Sequence, residues 1–575
     1  CVVLDSDAYP RLSWSSALLT DEGFYLHNAR NRVLFGHAQT DQFNNGLIMP
    51  LLDGLQTGVF RLLGVSAVSA RAISVVLGLL TLPVFFDALR RAFGLRTALL
   101  GLLLLGLDHV SLLYARMALM DTPAAFVLVC AFWLWVRSGE GEGRRWGRLW
   151  LGLCGFVLGV CYGVRGLGAL VYPVPLLLLV REGWQTRQAR CAGPSGATSV
   201  SVGPGRAWFP NLLCLLGGLM VALAIYGMVW YLPNRAELTR VNHYYLFDQL
   251  VPRSVTVLLS NWRTGLFGDH RGLMPFLFRH QPVQTCLVLI WLVRRVTTAM
   301  SSKDKVRSGH GNASNADFLT LWLLVFWGLL CSIDYAPSRY YVLFLPAFSA
   351  LAGLTLSDVF VITTTVQDRT MALICALFGF HLAQSALHHL GIPGIVLPGG
   401  FGIACLVIAW LVLSRSRTGW IRAGLSGKST QADAVMKTIS VAALMVWSVV
   451  NLYWTGDWLL HLTYRQRDAD RWLAANLPAN SVLIGAVTPG LSMNNRFVCV
   501  NVIEKLCNDH QPLETYAPAP RYVLILDDGW REVWWQRHYP AVIARDRRIH
   551  AFHGLLRPFF VIGVYKVPDE MRLDP

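Results

Sequence analysis

Two short stretches hold residue types able to do chemistry at a charged centre. The first, LLTDEGFYLHNARNRVLFG (18–36), sets Asp21 beside Glu22 and follows them with Tyr25, His27, Asn28 and Arg30. On a helix, Asp21, Tyr25 and Asn28 share one face, because residues three and four apart are neighbours. Two adjacent carboxylates followed by polar and basic side chains, just outside a membrane region, make this stretch a candidate polar site. The second stretch, LLYARMALMDTPAAF (112–126), brackets a turn with Arg116 and Asp121, and Thr122 and Pro123 open the next helix. There Arg116 suits an anion, and Asp121 suits an ion pair with it or a metal; charges this close to hydrocarbon are costly and functional by default. Both stretches also have an architectural reading. Asp21 would be a helix N-cap with acidic residues in the first turn, and Asp121 the cap of a helix whose first turn holds Pro123.

The elements that must position these residues are membrane spans. Of 575 residues, 54% are hydrophobic and only 15% charged, against about 25% charged in soluble chains. The apolar excess lies in runs of roughly 17–25 residues, enough to cross about 30 Å of hydrocarbon. The runs predict about twelve spans, near 70–90, 97–115, 122–137, 148–162, 164–180, 208–232, 283–300, 317–334, 338–358, 370–390, 394–414 and 436–456. Basic residues collect in every second connection: Arg90, Arg91 and Arg96, then Arg137, Arg144, Arg145 and Arg148, then Arg181, Arg187, Arg190 and Arg206. Arg294, Arg295, Lys303, Lys305 and Arg307 come next, and then Arg415, Arg417, Arg422, Lys428 and Lys437. This positive-inside pattern places residues 1–69, 233–282 and the tail from 457 outside the cytoplasm, with the turns at 116–121, 163–167 and 335–339.

The same pattern accounts for the net charge of +16. Charges divided among short loops by hydrocarbon form no nucleic-acid footprint, so no nucleic-acid partner is expected. An even number of spans joins two outside ends, yet the chain opens at Cys1 without Met. A helix upstream of Cys1, making about thirteen, is the expectation, with lipoprotein-type cleavage before Cys1 as the alternative.

The fold class expected is an all-α polytopic membrane domain over 1–456 followed by a small extracytoplasmic α/β domain over 457–575. In the tail, RDADRWLAANLP (467–478) has helical spacing, while SVLIGAV (481–487), RYVLILDD (521–528) and FFVIGVYKV (559–567) read as strands. Such alternation argues an α/β domain. The outside loop 233–282 suits amphipathic helices in the headgroup plane, and the polar stretches 182–206 and 301–316 read as connectors. Cys130, Cys154, Cys161, Cys214, Cys286, Cys331, Cys375 and Cys405 fall in spans as small apolar side chains. No cysteine pair has zinc or haem spacing. Cys499 and Cys507 fall in the tail, where an oxidising compartment permits a disulfide.

The two acidic stretches carry a resemblance. TDEGFYLHNAR looks like the acidic first-loop motif of the GT-C glycosyltransferases of the protein O-mannosyltransferase and aminoarabinose transferase type, and ARMALMDTPAAF resembles their second acidic loop. SRYYVLFLPAFSALAG (338–353) is similar to the family's Arg-Tyr-apolar-Pro segment. The resemblance covers the whole layout, including the long outside loop and the terminal outside domain. It implies a polyprenyl-phosphate sugar donor and an inverting transfer to a lipid, glycan or protein acceptor, in a bacterial-type cytoplasmic membrane with the site outside. Carried over by position, Asp21 is implied as the general base with Glu22 shaping the site, and Tyr25, His27 and Asn28 as substrate-binding residues. Arg116, Arg165 (in YGVRGLG) and Arg339 with Tyr340 are implied to hold the donor phosphate, for which the guanidinium fork is suited. Asp121 would orient one of these or a divalent metal ion, the one cofactor the resemblance raises, and His243 and Tyr244 would add donor contacts. One departure stands out: where many bacterial relatives have Lys-Pro-Pro or His-Pro-Pro, this chain reads Gly46-Leu47-Ile48-Met49-Pro50-Leu51, without a basic or metal-binding residue.

Other motifs fall away. GLSGKST (424–430) would need its first phosphate-loop glycine at Arg422. Asn312-Ala313-Ser314 lies in an expected cytoplasmic loop, where a glycosylation triplet goes unused. Asp527-Asp528 reads as a turn after a strand. Asp108-His109, late in a span, reads as a polar pair near the outer interface or as a proton relay. Two rival functions stay open. A catalytically silent subunit of a larger membrane complex would copurify with partners, whereas a transporter should show an inverted repeat, and the span pattern has none.

Overall fold

The apolar runs form long helices, and the chain is an integral membrane protein. A computed structural model describes residues 2–9, 12, 18–140, 144–191, 208–244, 251–252, 254–267, 273–300, 310–333, 337–359, 430–504, 506–516, 520–527, 530–555 and 560–568. Among these, six helices are long and apolar enough to cross a bilayer: Ala67–Phe93, Asp121–Glu140, Arg145–Val164, Gly166–Gln188, Trp208–Tyr231 and Ala313–Ser332. A pair bent by 60°, Leu95–Gly106 and His109–Ala115, makes a seventh crossing if read as one span. The helices Pro282–Met300, Leu345–Val359 and Thr430–Leu460 run where further spans are expected, while the expected spans 370–390 and 394–414 lie outside the described residues.

Where helices depart from the apolar runs, a local cause is visible. The 97–115 run breaks because Asp108 caps the second helix, its Oδ2 accepting from the Ser111 amide at 2.8 Å. The 164–180 run opens on a short turn, Gly166–Val171, before Pro173 starts the helix proper. The helix before Ser332 starts already at His310, so the expected connector 301–316 is helical from there and takes in Asn312-Ala313-Ser314. Among its described residues, the expected outside loop 233–282 holds three helices, Arg235–His243, Val255–Phe267 and Leu273–His280.

Nine helices recur below: α1 (Gly23–Leu34), α2 (Ala67–Phe93), α3 (Leu95–Gly106), α4 (His109–Ala115), α5 (Asp121–Glu140), α6 (Arg144–Val164), α7 (Trp208–Tyr226), α8 (Leu273–His280) and α9 (Thr430–Leu460). α6 and α7 pack through small residues. A Cβ on Gly155 would stand 2.0 Å from the Leu215 carbonyl oxygen, and one on Gly218 would stand 1.8 Å from that of Gly152. Only glycine lets the two backbones approach so closely, the usual solution where lipid gives no hydrophobic drive between helices. This contact fixes α6, whose end delivers Arg165.

The tail forms a five-stranded sheet in the order β2-β1-β3-β5-β4, with β1 (Val482–Ile484), β2 (Val498–Val500), β3 (Arg521–Leu526), β4 (Arg548–His553) and β5 (Val561–Lys566). β1 pairs parallel with β2 and β3, while β5 runs antiparallel to β3 and β4. The three expected strands form the centre. The two that the sequence does not announce, β2 and β4, are the edges: one is three residues long and the other carries Arg548, His550 and His553, as edge strands do. Cys499 and Cys507 are both free and buried, and the Cys507 thiol donates to the Asn501 carbonyl at 3.1 Å.

The tail docks on the first loop. Arg30, fully buried, donates from Nε to the Ser492 carbonyl at 3.0 Å and from Nη2 to those of Asn495 and Phe497 at 2.9 Å. Asp41 accepts from the Asn501 amide at 2.7 Å, and Asp7 from Thr463 Oγ1 at 2.7 Å and the Arg465 amide at 2.9 Å. First loop and tail therefore lie on one side of the membrane.

Candidate active site

Asp21 lies in a short helical segment, Leu18–Glu22, that runs directly into α1. Its backbone is already helical there, so its side chain does not cap; it turns instead to Arg339, with which it forms an ion pair. The Arg339 guanidinium also donates from Nη2 to the Tyr25 hydroxyl at 3.4 Å and stands 3.9 Å, through Nε, from the Asp121 carboxylate. Asp121, first residue of α5 and fully buried, pairs on its other oxygen with Arg165 at the end of α6. Tyr340 lies against both cations: the Arg165 guanidinium is 4.5 Å from its ring centroid and that of Arg339 5.2 Å. Six of the expected residues, Asp21, Tyr25, Asp121, Arg165, Arg339 and Tyr340, thus converge from four separate parts of the chain.

The remaining expected residues go elsewhere. Glu22 faces away from Asp21, since adjacent residues on a helix diverge. It accepts from Arg71 Nε and Nη2 at 2.8 and 2.7 Å and from the Ala118 amide at 2.7 Å, tying α1 to α2 and to the 116–121 turn. Arg116 does not reach Asp121. It donates to the carbonyls of Val3, Ser6 and Asp7 and lies 4.9 Å over the Trp458 ring. His27 bonds Asp41 at 3.1 Å and Asn31 at 3.0 Å. Asn28 spans the 36–46 loop, donating to the Ala38 and Phe43 carbonyls and accepting from the Gly46 amide. His243 is exposed, and Tyr244 packs beside Phe43, Leu506 and Cys507 rather than at the carboxylates. Arg71, which the sequence reading passes over, is 1% exposed within a span; a charge inside an apolar run was the available signal.

The cluster's charges balance, with two carboxylates against two guanidiniums. Burial pushes the Asp21 carboxyl up from its ordinary 3.8 to about 6, against the pull of Arg339 and Arg165 and with a further push from Asp121. Burial likewise raises the Tyr25 hydroxyl above its usual range. A carboxylate with a value near 6 matches a general base working near neutrality.

The donor set does not fit a divalent ion. Among the described residues no group of three or more His, Cys, Asp or Glu side chains is arranged to hold a metal. Between Asp21 and Asp121, where a bridging cation would stand, lies the Arg339 guanidinium.

The fold is that of the GT-C membrane glycosyltransferases. Residues 51–236 match the family model described as dolichyl-phosphate-mannose-protein mannosyltransferase, a segment that holds Asp121 and Arg165. ArnT from Cupriavidus metallidurans bound to undecaprenyl phosphate superposes with a TM-score of 0.52 at 19% identity, over 95% of this chain and 93% of that one. Its apo form gives 0.52 at 17% identity, over 96% and 94%. The oligosaccharyltransferase of Archaeoglobus fulgidus gives 0.47 at 13% identity, over 88% of this chain and 65% of that one. No curated protein matches by sequence.

Proposed function

We propose that this chain is an inverting glycosyltransferase that moves a sugar from a polyprenyl-phosphate donor to an acceptor on the extracytoplasmic face of a bacterial-type cytoplasmic membrane. One observation carries the reading: a single guanidinium, Arg339, is shared by two carboxylates, that of Asp21 mostly buried and that of Asp121 fully so, with Arg165 behind the second. Asp21 takes the proton of the acceptor group as its heteroatom attacks the anomeric carbon. The bond from that carbon to the phosphate oxygen breaks, and the electron pair leaves on the phosphate. Attack from the face opposite the leaving group inverts the centre. As Asp21 becomes neutral, Arg339 loses one anionic partner and the departing phosphate supplies another, so the cluster keeps its charge balance throughout. Arg165 and Asp121 hold Arg339 in place, and the leaving group requires cations rather than a strong acid, a demand that the guanidiniums meet.

A groove of about 260 Å³ supports a lipid-borne substrate. Leu79, Leu82, Leu105, Leu112 and Leu345 line it, and it reaches Thr122 and Val342 beside the cluster. The test is transfer of labelled sugar from a polyprenyl-phosphate donor by the purified protein and by its Asp21→Asn variant. Asn keeps the size of Asp but cannot take the proton, so a loss of about 10²–10⁴-fold is expected. Unchanged transfer by Asp21→Asn would remove Asp21 as base. No transfer by the wild type across a panel of donors would favour a silent subunit instead, a reading to which the missing basic residue at 46–51 lends its one support.

A further inference from the structure

A buried polar cluster away from the carboxylates has no part in the proposed reaction. His109 and His280, both buried, meet with Nε2 of the first 3.2 Å from Nδ1 of the second. Next to them Gln281 Nε2 donates to Asp108 Oδ1 at 2.8 Å. These two bonds run in parallel between the same partners: Asp108 and His109 sit at the break that starts α4, His280 ends α8 and Gln281 follows it. A third element locks the pair, since the Asn451 side chain of α9 accepts from the His109 amide at 2.8 Å and lies 2.9 Å from His109 Nδ1. The Trp454 ring stacks on His109 at 5.8 Å. Buried polar groups are costly unless fully partnered, and this set is placed where α4 and α8 meet.

Both clasped helices grip the short turn that carries Arg339. From α4, the Tyr114 hydroxyl bonds Ser338 Oγ at 2.6 Å, one residue before Arg339. From α8, Phe276 packs on Tyr341 with ring centroids 4.3 Å apart, and the same Phe276 ring lies 4.5 Å from His280. Ser338 and Tyr341 flank Arg339 and Tyr340, so the turn is held from two sides by helices that the His109–His280 and Asp108–Gln281 bonds keep together. We infer that His109 and His280 are positioning residues for Arg339, fixing its guanidinium between Asp21 and Asp121. This rests on the function proposed above. It adds a requirement that the reaction scheme lacks, namely that the cation's aim depends on a clasp in another part of the fold.

The test is a double-mutant cycle read by polyprenyl-phosphate binding and, separately, by transfer. His280→Leu removes the bond, whereas His280→Asn places an amide nitrogen or oxygen where Nδ1 stood and should restore it. His280→Leu is expected to weaken polyprenyl-phosphate binding and to raise the donor KM about tenfold, the scale of one charge-assisted hydrogen bond, with His280→Asn within about threefold of wild type. Combined with Arg339→Lys, His280→Leu should add little, because both act through one guanidinium. If His280→Leu lowers only the thermal midpoint and leaves binding and KM unchanged, the clasp is structural and the inference fails. Additive losses with Arg339→Lys would overturn it equally. If His280→Leu does not fold, the cycle is read from Gln281→Leu, which removes the parallel bond to Asp108 and leaves both imidazoles in place, and additivity of its loss with that of Arg339→Lys overturns the inference in the same way. A wild type that binds no polyprenyl phosphate would defeat the proposed function itself, an outcome separate from all of these.

Discussion

Asp21 and Arg339, 318 positions apart in the chain, form an ion pair in which the carboxylate is mostly buried and the guanidinium still touches a second carboxylate. An acid so placed is held near pH 6 by burial working against its cation. Transfer should therefore fall about tenfold per pH unit once the pH drops below about 6, because a protonated Asp21 cannot accept the acceptor's proton. For stability the sign is reversed. A carboxyl raised from 3.8 to about 6 on folding contributes stability that is full below 3.8 and lost as the pH rises through 6, because between those values only the folded state keeps the proton. The profile of kcat/KM checks the first statement, and a flat profile from about pH 7 to about pH 5 would sink it.

Arg165 contributes differently from Arg339. It pairs with Asp121 and lies on Tyr340, without contact to Asp21 among the described bonds. Arg165→Lys keeps the charge but loses the planar fork and the ring contact. The expected result is a fall in kcat/KM of about 10–100-fold with the acid limb of the profile still near pH 6. Arg339→Lys should move that limb, since Arg339 is the stronger of the two influences on Asp21. A limb moved equally by both variants would contradict the division of roles.

The α6–α7 contact gives a prediction that does not depend on function. Gly155→Leu drives a side chain into the Leu215 carbonyl, where even a Cβ has only 2.0 Å. Neither backbone can yield without separating the helices, so a loss of about 3 kcal/mol or more is expected. Gly217→Ala, where a Cβ would meet nothing within 4 Å, should be close to neutral. Thermal midpoints of the detergent-solubilised variants decide it; similar values for the two would remove the close-approach argument.

Much of this was legible in the sequence, for physical reasons that can be named. Asp121, Arg165 and Arg339 stand at the ends of apolar runs, where charge is expensive and its presence informative, and all three come together with Asp21. Glu22 was illegible as a separate case because the pattern shows two adjacent acids and not the turn of the helix that sends them apart, one to Arg339 and one to Arg71. Arg116 misleads for another reason. Its partners are backbone carbonyls of residues 3–7, which every sequence possesses and none advertises. The central strands of the tail are apolar runs and could be read, whereas the edges β2 and β4 carry no such signal.

Arg30 provides the last prediction, because a residue of the first motif turns out to hold the tail. Its guanidinium is fully buried and satisfies three carbonyls, those of Ser492, Asn495 and Phe497. Arg30→Ala takes the guanidinium donor from all three oxygens, leaving that of Ser492 only the Asn495 amide at 3.4 Å and that of Phe497 only the Cys499 thiol at 3.7 Å, at about 1–3 kcal/mol for each that finds no water. The helices of the membrane region make no use of these bonds, so the damage should be confined to the joint between first loop and tail. Limited proteolysis should then cut the 463–500 region faster, while helical content by circular dichroism changes little. Arg30→Lys should recover only part of the protection, since one ammonium cannot reproduce the fork that meets three carbonyls at once. Equal cleavage of wild type and Arg30→Ala would mean that the Asp7 and Asp41 contacts hold the tail by themselves.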